Sequence, residues 1–367
     1  MKYLFVVQGE GRGHFTQALS LKSMLERNGH EVVGVMVGGS SKRTLPDFFT
    51  CKIKSEIVRF QSPDFLPTPK GKHSPLLISI VYNLLLLPVY FLSMLTIRRT
   101  IRDKQPDVVI NFYELMCGFT YGLFNPKTPM INVAHQYYFM TPAFRYTGDD
   151  NFQFRLLNFY SGLTTMNSLK ILALSFRADE NIQYGKIAIV PPLLRQEVLQ
   201  QEVTDGDYIH GYMLNSGFAN ELTTWSNNHP TQPLHFFWDK KNVNPTKILT
   251  SKLTMHKLSD SLFLQYMVGS KAYTTTGGFK SVCETMYMQK AVLMVPLHIE
   301  QECNVIDAAR TGAGISANEF DLDLLLGFIP GYTKSMEFNY WTRTAEAQFL
   351  YELTRINCQP STVFAAM

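Results

Sequence analysis

The residues best suited to chemistry lie in one stretch of the chain, from Thr274 to Gly314. Its order is an apolar strand, a Gly-Gly pair, a helical segment, a second strand and a second helix start. Backbone amides at a helix N-terminus carry partial positive charge, so the Gly-Gly turn is suited to bind a diphosphate. Polar side chains on both helices are suited to hydrogen-bond sugar hydroxyls. The candidate residues for such a ligand are Gly277, Gly278, Phe279, Ser281, Glu284, His298, Glu300, Gln301 and Asn304.

Individual positions in this stretch support the same interpretation. Glu284 lies about a turn and a half into the first helix, where a carboxylate can accept hydrogen bonds from two ribose hydroxyls. Glu300 and Gln301 follow a strand end and face a sugar beyond the diphosphate. Taken singly, the glycines fit a tight turn, and Glu284 and Asn304 fit solvated or capping positions. Their combination in this order favours a binding site.

A second glycine-rich loop follows the first strand and opens the first helix. It contains Gly9, Gly11 and Gly13 and ends at His14. A dinucleotide fingerprint is not favoured, because the spacing is GxGxGH and the second strand ends without an acidic residue for a ribose. A neutral histidine at this position predicts a general base for an acceptor hydroxyl. The alternative is a polar helix-start residue bonded to backbone.

Three further positions are weaker candidates. Glu114 and His135 end strands of the first half and are predicted to serve the acceptor side, although buried or capping roles are equally compatible. Ser216 lies in a polar turn after a later strand and is a candidate for the phosphate side of the site. Asp321 and Asp323 mimic a metal-binding carboxylate pair, but they precede an apolar helical run and are predicted to cap it. We therefore expect no metal and no cofactor.

Alternating strands and helices must position these residues. Apolar β-branched runs alternate with helical spacing along the chain, which predicts an α/β fold with mostly parallel, doubly wound sheets. This alternation of strands and helices stops near Pro191 and Pro192 and then restarts. We expect two tandem Rossmann-like domains facing a cleft, residues 1–192 on the acceptor side and residues 193–335 on the donor side. Residues 336–367 are predicted to form a helix that packs back on the first domain.

Composition excludes several classes of protein. The 367 residues are 46% hydrophobic and 17% charged, which fits large buried cores. A net charge of +4 without a basic-aromatic cluster argues against nucleic acid as a partner. The five cysteines form neither a disulfide framework nor a CxxC pair, and the N-terminal apolar run is too short for a signal peptide. We expect a cytoplasmic protein.

One uncharged segment, Ser74 to Ile97, is followed by Arg98, Arg99, Arg102 and Lys104. Its length fits a bilayer span, but polar residues and Pro88 interrupt it. Peripheral contact with the inner face of a membrane, through an apolar surface beside a basic rim, is a second interpretation. A buried core helix is the third.

With both motifs in view, the chain resembles glycosyltransferases of the GT-B fold, nearest to the family 28 type that includes the peptidoglycan N-acetylglucosaminyltransferase. In that family a GGxGGH-like loop faces the acceptor, and Gly9, Gly11, Gly13 and His14 match it. The resemblance implies that Glu284 binds ribose, that Glu300 and Gln301 contact the donor sugar with Asn304 in register, and that Ser216 lies near phosphate. It also implies UDP as the nucleotide.

The predicted reaction is therefore transfer of a sugar from a UDP-sugar to a hydroxyl of a glycan or lipid-linked acceptor, with inversion and without a metal. His14 is the predicted base. Two alternatives share the fold and the donor site, namely a UDP-sugar hydrolase or 2-epimerase and a non-catalytic sugar-nucleotide-binding protein.

Overall fold

The computed structural model describes residues 1–40, 44–63, 83, 85–179, 182–213, 219–238 and 244–355. Their strands form two separate sheets, one from each half of the chain. The strands of both sheets are mostly parallel and are joined largely through helices, which is the arrangement that alternating β and α segments dictate. The predicted α/β class with two parallel-sheet units is confirmed.

The first sheet has eight strands in the order β3-β2-β1-β4-β5-β6-β8-β7, and all neighbours are parallel except β7 and β8. Its central strands are buried on both faces, which explains their continuous apolar sequences. The strands are β1 (Lys2–Gln8), β2 (Glu31–Gly38), β3 (Ile57–Phe60), β4 (Val108–Phe112), β5 (Met130–Ala134), β6 (Lys170–Leu174), β7 (Gln183–Tyr184) and β8 (Ile187–Val190).

The second sheet has seven strands in the order β11-β12-β10-β9-β13-β14-β15, with an antiparallel pair only at its β11 edge. The strands are β9 (Ile209–Met213), β10 (Leu234–Trp238), β11 (Thr246–Ile248), β12 (Leu253–Lys257), β13 (Ala272–Thr275), β14 (Ala291–Met294) and β15 (Gly314–Ser316).

Helices cover both faces of the first sheet. Side chains alternate across β1, so Tyr3, Phe5 and Val7 pack in one core, whereas Leu4 and Val6 pack in another. The α-helices among the described residues are α1 (Gly13–Arg27), α2 (Asp47–Ile53), α3 (Leu87–Lys104), α4 (Leu115–Phe124), α5 (Asn151–Thr164), α6 (Gln196–Leu199), α7 (Ala219–Asn228), α8 (Asp260–Val268), α9 (Phe279–Tyr287), α10 (Ile299–Arg310), α11 (Leu322–Phe328), α12 (Glu337–Arg343) and α13 (Ala345–Thr354). A 3-10 helix spans Gln136–Met140.

The last two helices return to the first sheet after the second sheet is complete. The indole of Trp341 donates a hydrogen bond to the carbonyl of Ser175, 3.2 Å away. Tyr3 donates to the carbonyl of Leu353 at 3.5 Å, and Lys170 pairs with Glu352. The chain therefore passes between the two halves twice.

Some sequence expectations differ from the structure. The sequence from Ile53 to Phe60 predicts one strand, but Ile53 ends helix α2 and the strand begins at Ile57, because Lys54 takes a left-handed conformation that stops the helix. The irregular stretch after Trp238 contains β11, β12 and α8. The side chain of Asp321 accepts the amide of Leu324 and caps α11, as predicted.

The apolar segment from Ser74 to Ile97 lies partly outside the described residues, which resume at Asn83 and then at Leu85. Its described part enters helix α3, whose last turns carry the basic residues. Among the helices that the structure describes, none combines the length and the apolar character that crossing a bilayer requires.

Candidate active site

His14 and its neighbours form the centre of the candidate site. Helix α1 begins at Gly13, directly after the glycine loop, so His14 lies in the first turn and is buried. Its ring stacks on that of Tyr113, with centroids 5.7 Å apart and planes within 13°. Tyr113 follows β4 with φ of 60°, a conformation that a bulky side chain rarely adopts. Sequence reasoning missed Tyr113, because spacing carries no signal for a strained backbone.

His135 faces the second half of the chain from the end of β5. Its Nε2 lies 3.1 Å from Oε1 of Glu300, the second residue of α10. Its ring stacks on Phe279, the first residue of α9, at 4.4 Å and 5°. The structure thus brings together three residues that the sequence assigned to opposite sides of a cleft.

Electrostatics fix the charge states of this group. Burial would raise the pKa of Glu300, but the hydrogen bond from His135 and the nearby histidines outweigh it and lower the pKa to about 2. Glu300 is therefore an acceptor, and Nε2 of His135 is the donor. Burial lowers the pKa of His14 to about 4, and the proximity of His135 acts in the same direction. His14 is consequently neutral at pH 7.

Several polar atoms in this group have no hydrogen-bond partner within the described residues. They include Nδ1 of His14, Nδ1 of His135 and Oδ1 of Asn304, and all three are buried. Buried polar atoms are normally paired, so a cluster of unpaired ones needs a bound polar group to satisfy it. The site is therefore suited to a ligand rich in hydroxyl groups.

The Gly-Gly turn has the geometry that an anion site requires. Gly277 has φ of 80°, and a Cβ there would approach Val305 to 2.6 Å, so only glycine fits. Gly278 is the N-cap of α9, and no side chain in the described part of the chain caps this end. Ser281 donates to the carbonyl of Gly278 at 3.0 Å. The first-turn amides of α9 have no intrahelical partner, as at any helix start.

Glu284 is buried one turn further along α9. Its Oε1 accepts a hydrogen bond from Nε of Arg195 at 2.8 Å, and Nζ of Lys280 lies 3.8 Å from the same oxygen. Within the described residues, no hydrogen bond reaches Oε2. Arg195 follows β8 in the connection between the sheets, and the sequence interpretation assigned that connection no role. The carboxylate is thus oriented by two cations before any ligand contacts it.

The remaining donor-side residues shape the loop before α10. Gln301 accepts the amide of Leu297 at 2.9 Å and donates to Thr276 at 3.1 Å, so its amide is occupied within the protein. Asn304 donates to the carbonyl of Gly277 at 3.1 Å. His298 is the N-cap residue of α10, exposed, and makes no side-chain capping bond.

Glu114 lies apart from this group. It is completely buried and caps α4 by accepting the amide of Cys117 at 2.9 Å, and Ser62 donates to its other oxygen. Burial raises its pKa to about 7, which these hydrogen bonds partly oppose. The capping alternative is the geometry observed, and a direct acceptor contact stays a prediction. Gly11 lies in the loop before His14, Gly13 is the first residue of α1, and Ser216 lies outside the described residues.

The family model described as Glycosyl transferase family 1 matches residues 1–330. Curated protein sequences give no match.

Solved structures share the whole fold at low sequence identity. The glycotransferase of kitacinnamycin aligns with a TM-score of 0.64 and 16% identity over 96% of this chain and 98% of that one. The calicheamicin glycosyltransferase CalG4 aligns with a TM-score of 0.62 and 13% identity over 98% and 99%. Arabidopsis thaliana UGT89C1 in complex with UDP-L-rhamnose gives 0.63 and 14% over 98% and 99%. The two facing parallel sheets are thus those of the GT-B fold, and the chain belongs to glycosyl transferase family 1, as a glycosyltransferase.

Proposed function

We propose that the protein transfers a sugar from a UDP-sugar to a hydroxyl acceptor, with inversion at the anomeric carbon. The buried atoms on His14, His135 and Asn304 that have no hydrogen-bond partner among the described residues carry this proposal, because His135 stacks on Phe279 at the N-terminus of α9. A hydroxyl-rich sugar attached to a diphosphate matches both features. UDP as the nucleotide is further supported by the complexes of Arabidopsis thaliana UGT89C1 with UDP-L-rhamnose and of Phytolacca americana UGT2 with UDP-2-fluoroglucose.

In the proposed reaction, neutral His14 accepts the proton of the acceptor hydroxyl. The hydroxyl oxygen attacks the anomeric carbon, the bond from that carbon to the β-phosphate oxygen breaks, and UDP departs. The amides at the start of α9 stabilise the negative charge of the leaving diphosphate. Glu284 accepts hydrogen bonds from ribose hydroxyls through Oε2, because Arg195 already binds Oε1. Glu300 contacts the donor sugar, and His135 holds Glu300 through its Oε1.

Finer features of the proposal follow from the sequence. A closer relationship to the family 28 type, a lipid-linked or glycan acceptor and a cytoplasmic location stay predictions. The division at residues 192 and 335 is also proposed, and the separate sheets and the returning helices support it. In the described part of the chain, no group of three or more His, Cys, Asp or Glu residues is arranged to hold a metal ion. Metal independence is tested by assaying activity with excess EDTA.

Release of UDP from a panel of UDP-sugars, measured with and without candidate acceptors, tests the proposal. We expect release that depends on both donor and acceptor, with a glycosylated product detected by mass spectrometry. UDP should also raise the melting temperature, and Glu284→Ala should remove most of that shift. Release of UDP without any acceptor would instead indicate a hydrolase or 2-epimerase. Stabilisation by a different nucleotide, with none by UDP at millimolar concentration, would refute the donor assignment.

A further inference from the structure

Helices α3, α4 and α5 lie side by side on one face of the first sheet. The ring of Phe124 in α4 lies 6.2 Å from that of Phe91 in α3. Gly118 and Gly122 of α4 allow close approach of the end of α5, because a Cβ at Gly118 would overlap the backbone of Leu163. The inner sides of these helices pack against Leu4, Val6 and Val109 of the sheet. We call the outer side of this layer the helical face.

The helical face exposes a concentration of large apolar side chains. Eight of the eighteen exposed large hydrophobic residues among those described lie on these helices or directly before α3. They are Leu85 (76% exposed), Leu87 (57%), Phe91 (45%), Leu92 (61%), Leu123 (60%), Phe152 (73%), Leu156 (44%) and Phe159 (64%). Scattered apolar residues are normal on protein surfaces, but a concentration of this kind marks an interaction site.

Helix α5 adds an apolar stripe of its own to the helical face. Its exposed residues Phe152, Leu156 and Phe159 are spaced four and three positions apart, so they form one stripe along the helix. The face is therefore two helices wide or more, with neighbouring helix axes about 10 Å apart. That width suits a flat partner better than a single bound peptide.

The charge of the face indicates which partner it fits. The three helices together carry five basic residues and one acidic residue, Asp103. Arg98 stacks over the ring of Phe124 at 4.9 Å, so the basic end of α3 directly adjoins the apolar residues. Arg99 and Arg102 are both exposed. Apolar residues bordered by arginine match the boundary between acyl chains and anionic headgroups.

We propose that the helical face binds a bilayer surface containing anionic phospholipids, with Phe152, Leu156 and Phe159 inserted beside the residues of α3. The apolar residues enter the headgroup boundary, and Arg99 and Arg102 contact lipid phosphates. The exposed apolar residues of α3 and those of α5 both contribute to the inserted area, so neither helix alone supplies the full affinity for the bilayer.

Co-sedimentation of the full chain with vesicles tests this surface. The vesicles are made of phosphatidylcholine with or without phosphatidylglycerol. We expect binding to the anionic vesicles that weakens as salt is raised. Combined replacement Phe152→Ser, Leu156→Ser and Phe159→Ser should reduce partitioning by about tenfold or more, because each removes most of an inserted side chain. Arg99→Gln with Arg102→Gln should reduce binding to anionic vesicles only.

The matched control is Ile248→Ser with Leu324→Ser, which removes exposed apolar residues from the second half of the chain. All of these positions are exposed, so melting temperatures should stay close to the original. Equal vesicle binding by the control and the α5 variant would overturn the proposal, as would no binding at all. A concentration-dependent dimer lost in the α5 variant, without vesicle binding, would assign the face to a second copy instead. The vesicle assay contains no sugar donor, so a negative result in it does not bear on the proposed transferase reaction.

Discussion

His14 is buried, and its Nδ1 has no hydrogen-bond partner in the part of the chain that the structure describes. Its neighbour Tyr113, which stacks on the ring, has a strained backbone conformation. Strain of this kind costs on the order of 1–3 kcal/mol and persists only where the surroundings enforce it. Here β4, Tyr137, Tyr160 and the bond from Tyr113 to Ser161 enforce it. The imidazole is therefore fixed in orientation before an acceptor arrives.

Replacement of His14 by alanine should lower kcat by roughly 10² to 10⁴, the usual contribution of a general base. UDP affinity, measured by calorimetry, should stay within a few-fold, because α9 and Glu284 belong to the other sheet. The conservative Tyr113→Phe variant is the control. It keeps the ring against His14 and should lose only about 1 kcal/mol of stability with its hydrogen bond to Ser161. A folded His14→Ala protein with a third of the original activity would remove His14 from the mechanism.

The pH profile gives a second test at the same residue. The pKa of His14 is lowered to about 4, and the base acts only when deprotonated. Activity should therefore persist as pH falls below 6.5 and should decline only as pH approaches about 4. The acid limb of kcat/KM for the free enzyme reports this pKa. A limb centred at 6.5 would show that His14 is solvated in the free enzyme, against its buried position in the structure.

Among the elements, strands β9, β10 and β12 of the second sheet carry a row of histidines. Nδ1 of His235 lies 3.1 Å from Nε2 of His256, and His210 lies 3.3 Å from the carbonyl of His235. Burial lowers the pKa of His210 to about 3 and that of His256 to about 4, and it also lowers the pKa of His235. These rings are neutral in the folded sheet and become charged when the chain unfolds in acid.

The contribution of these neutral histidines to the free energy of unfolding should accordingly be fully present above pH 6.5. It should be lost as pH falls from 6.5 towards their lowered pKa values. Each buried histidine should remove about 1.4 kcal/mol of unfolding free energy per pH unit in that window. Urea unfolding at pH 7.5 and pH 5 measures the effect. His210→Phe, which places an apolar ring among Phe237, Phe263 and Tyr273, should reduce the pH dependence. An unchanged pH dependence of the unfolding free energy in the His210→Phe variant would show that other groups cause the acid sensitivity.

Sequence reasoning predicted the α/β class and the two strand–glycine–helix units, which are β1 with α1 and β13 with α9. Strand β12 and helix α8 escaped prediction, because Thr254 and His256 look solvent-facing in sequence but His256 is buried by aromatic neighbours. The contact between His135 and Glu300 joins residues 165 positions apart, and no local spacing encodes it.

Across the whole molecule, four charges of alternating sign connect the glycine loop to the donor helix. Arg12 lies 3.3 Å from Asp260 of α8, and Asp260 lies 3.9 Å from Arg195, which bonds Glu284. The first of these residues belongs to the acceptor side and the last to the donor side. The position of the glycine loop and the orientation of Glu284 are therefore linked through Asp260 and Arg195.

Replacement of Arg195 by glutamine should weaken UDP binding by about tenfold, because buried Glu284 loses a charge-assisted hydrogen bond that orients it. Isothermal calorimetry measures the affinity. The matched control is Arg27→Gln, which removes an exposed pair with Glu346 worth about 0–1 kcal/mol and should leave UDP affinity unchanged. A melting temperature that falls while UDP affinity holds would give Arg195 a structural role only.

The double passage of the chain between its halves has a consequence for protein synthesis. Phe349 and Leu353 of α13 share a core with Tyr3 and Leu172 of the first sheet. At roughly 5–20 residues per second, residue 354 is added on the order of ten to thirty seconds after residue 192. During that interval the ribosome holds a first sheet whose core is still open on one side. We therefore expect newly made chains to expose this part of the core until α13 emerges and covers it.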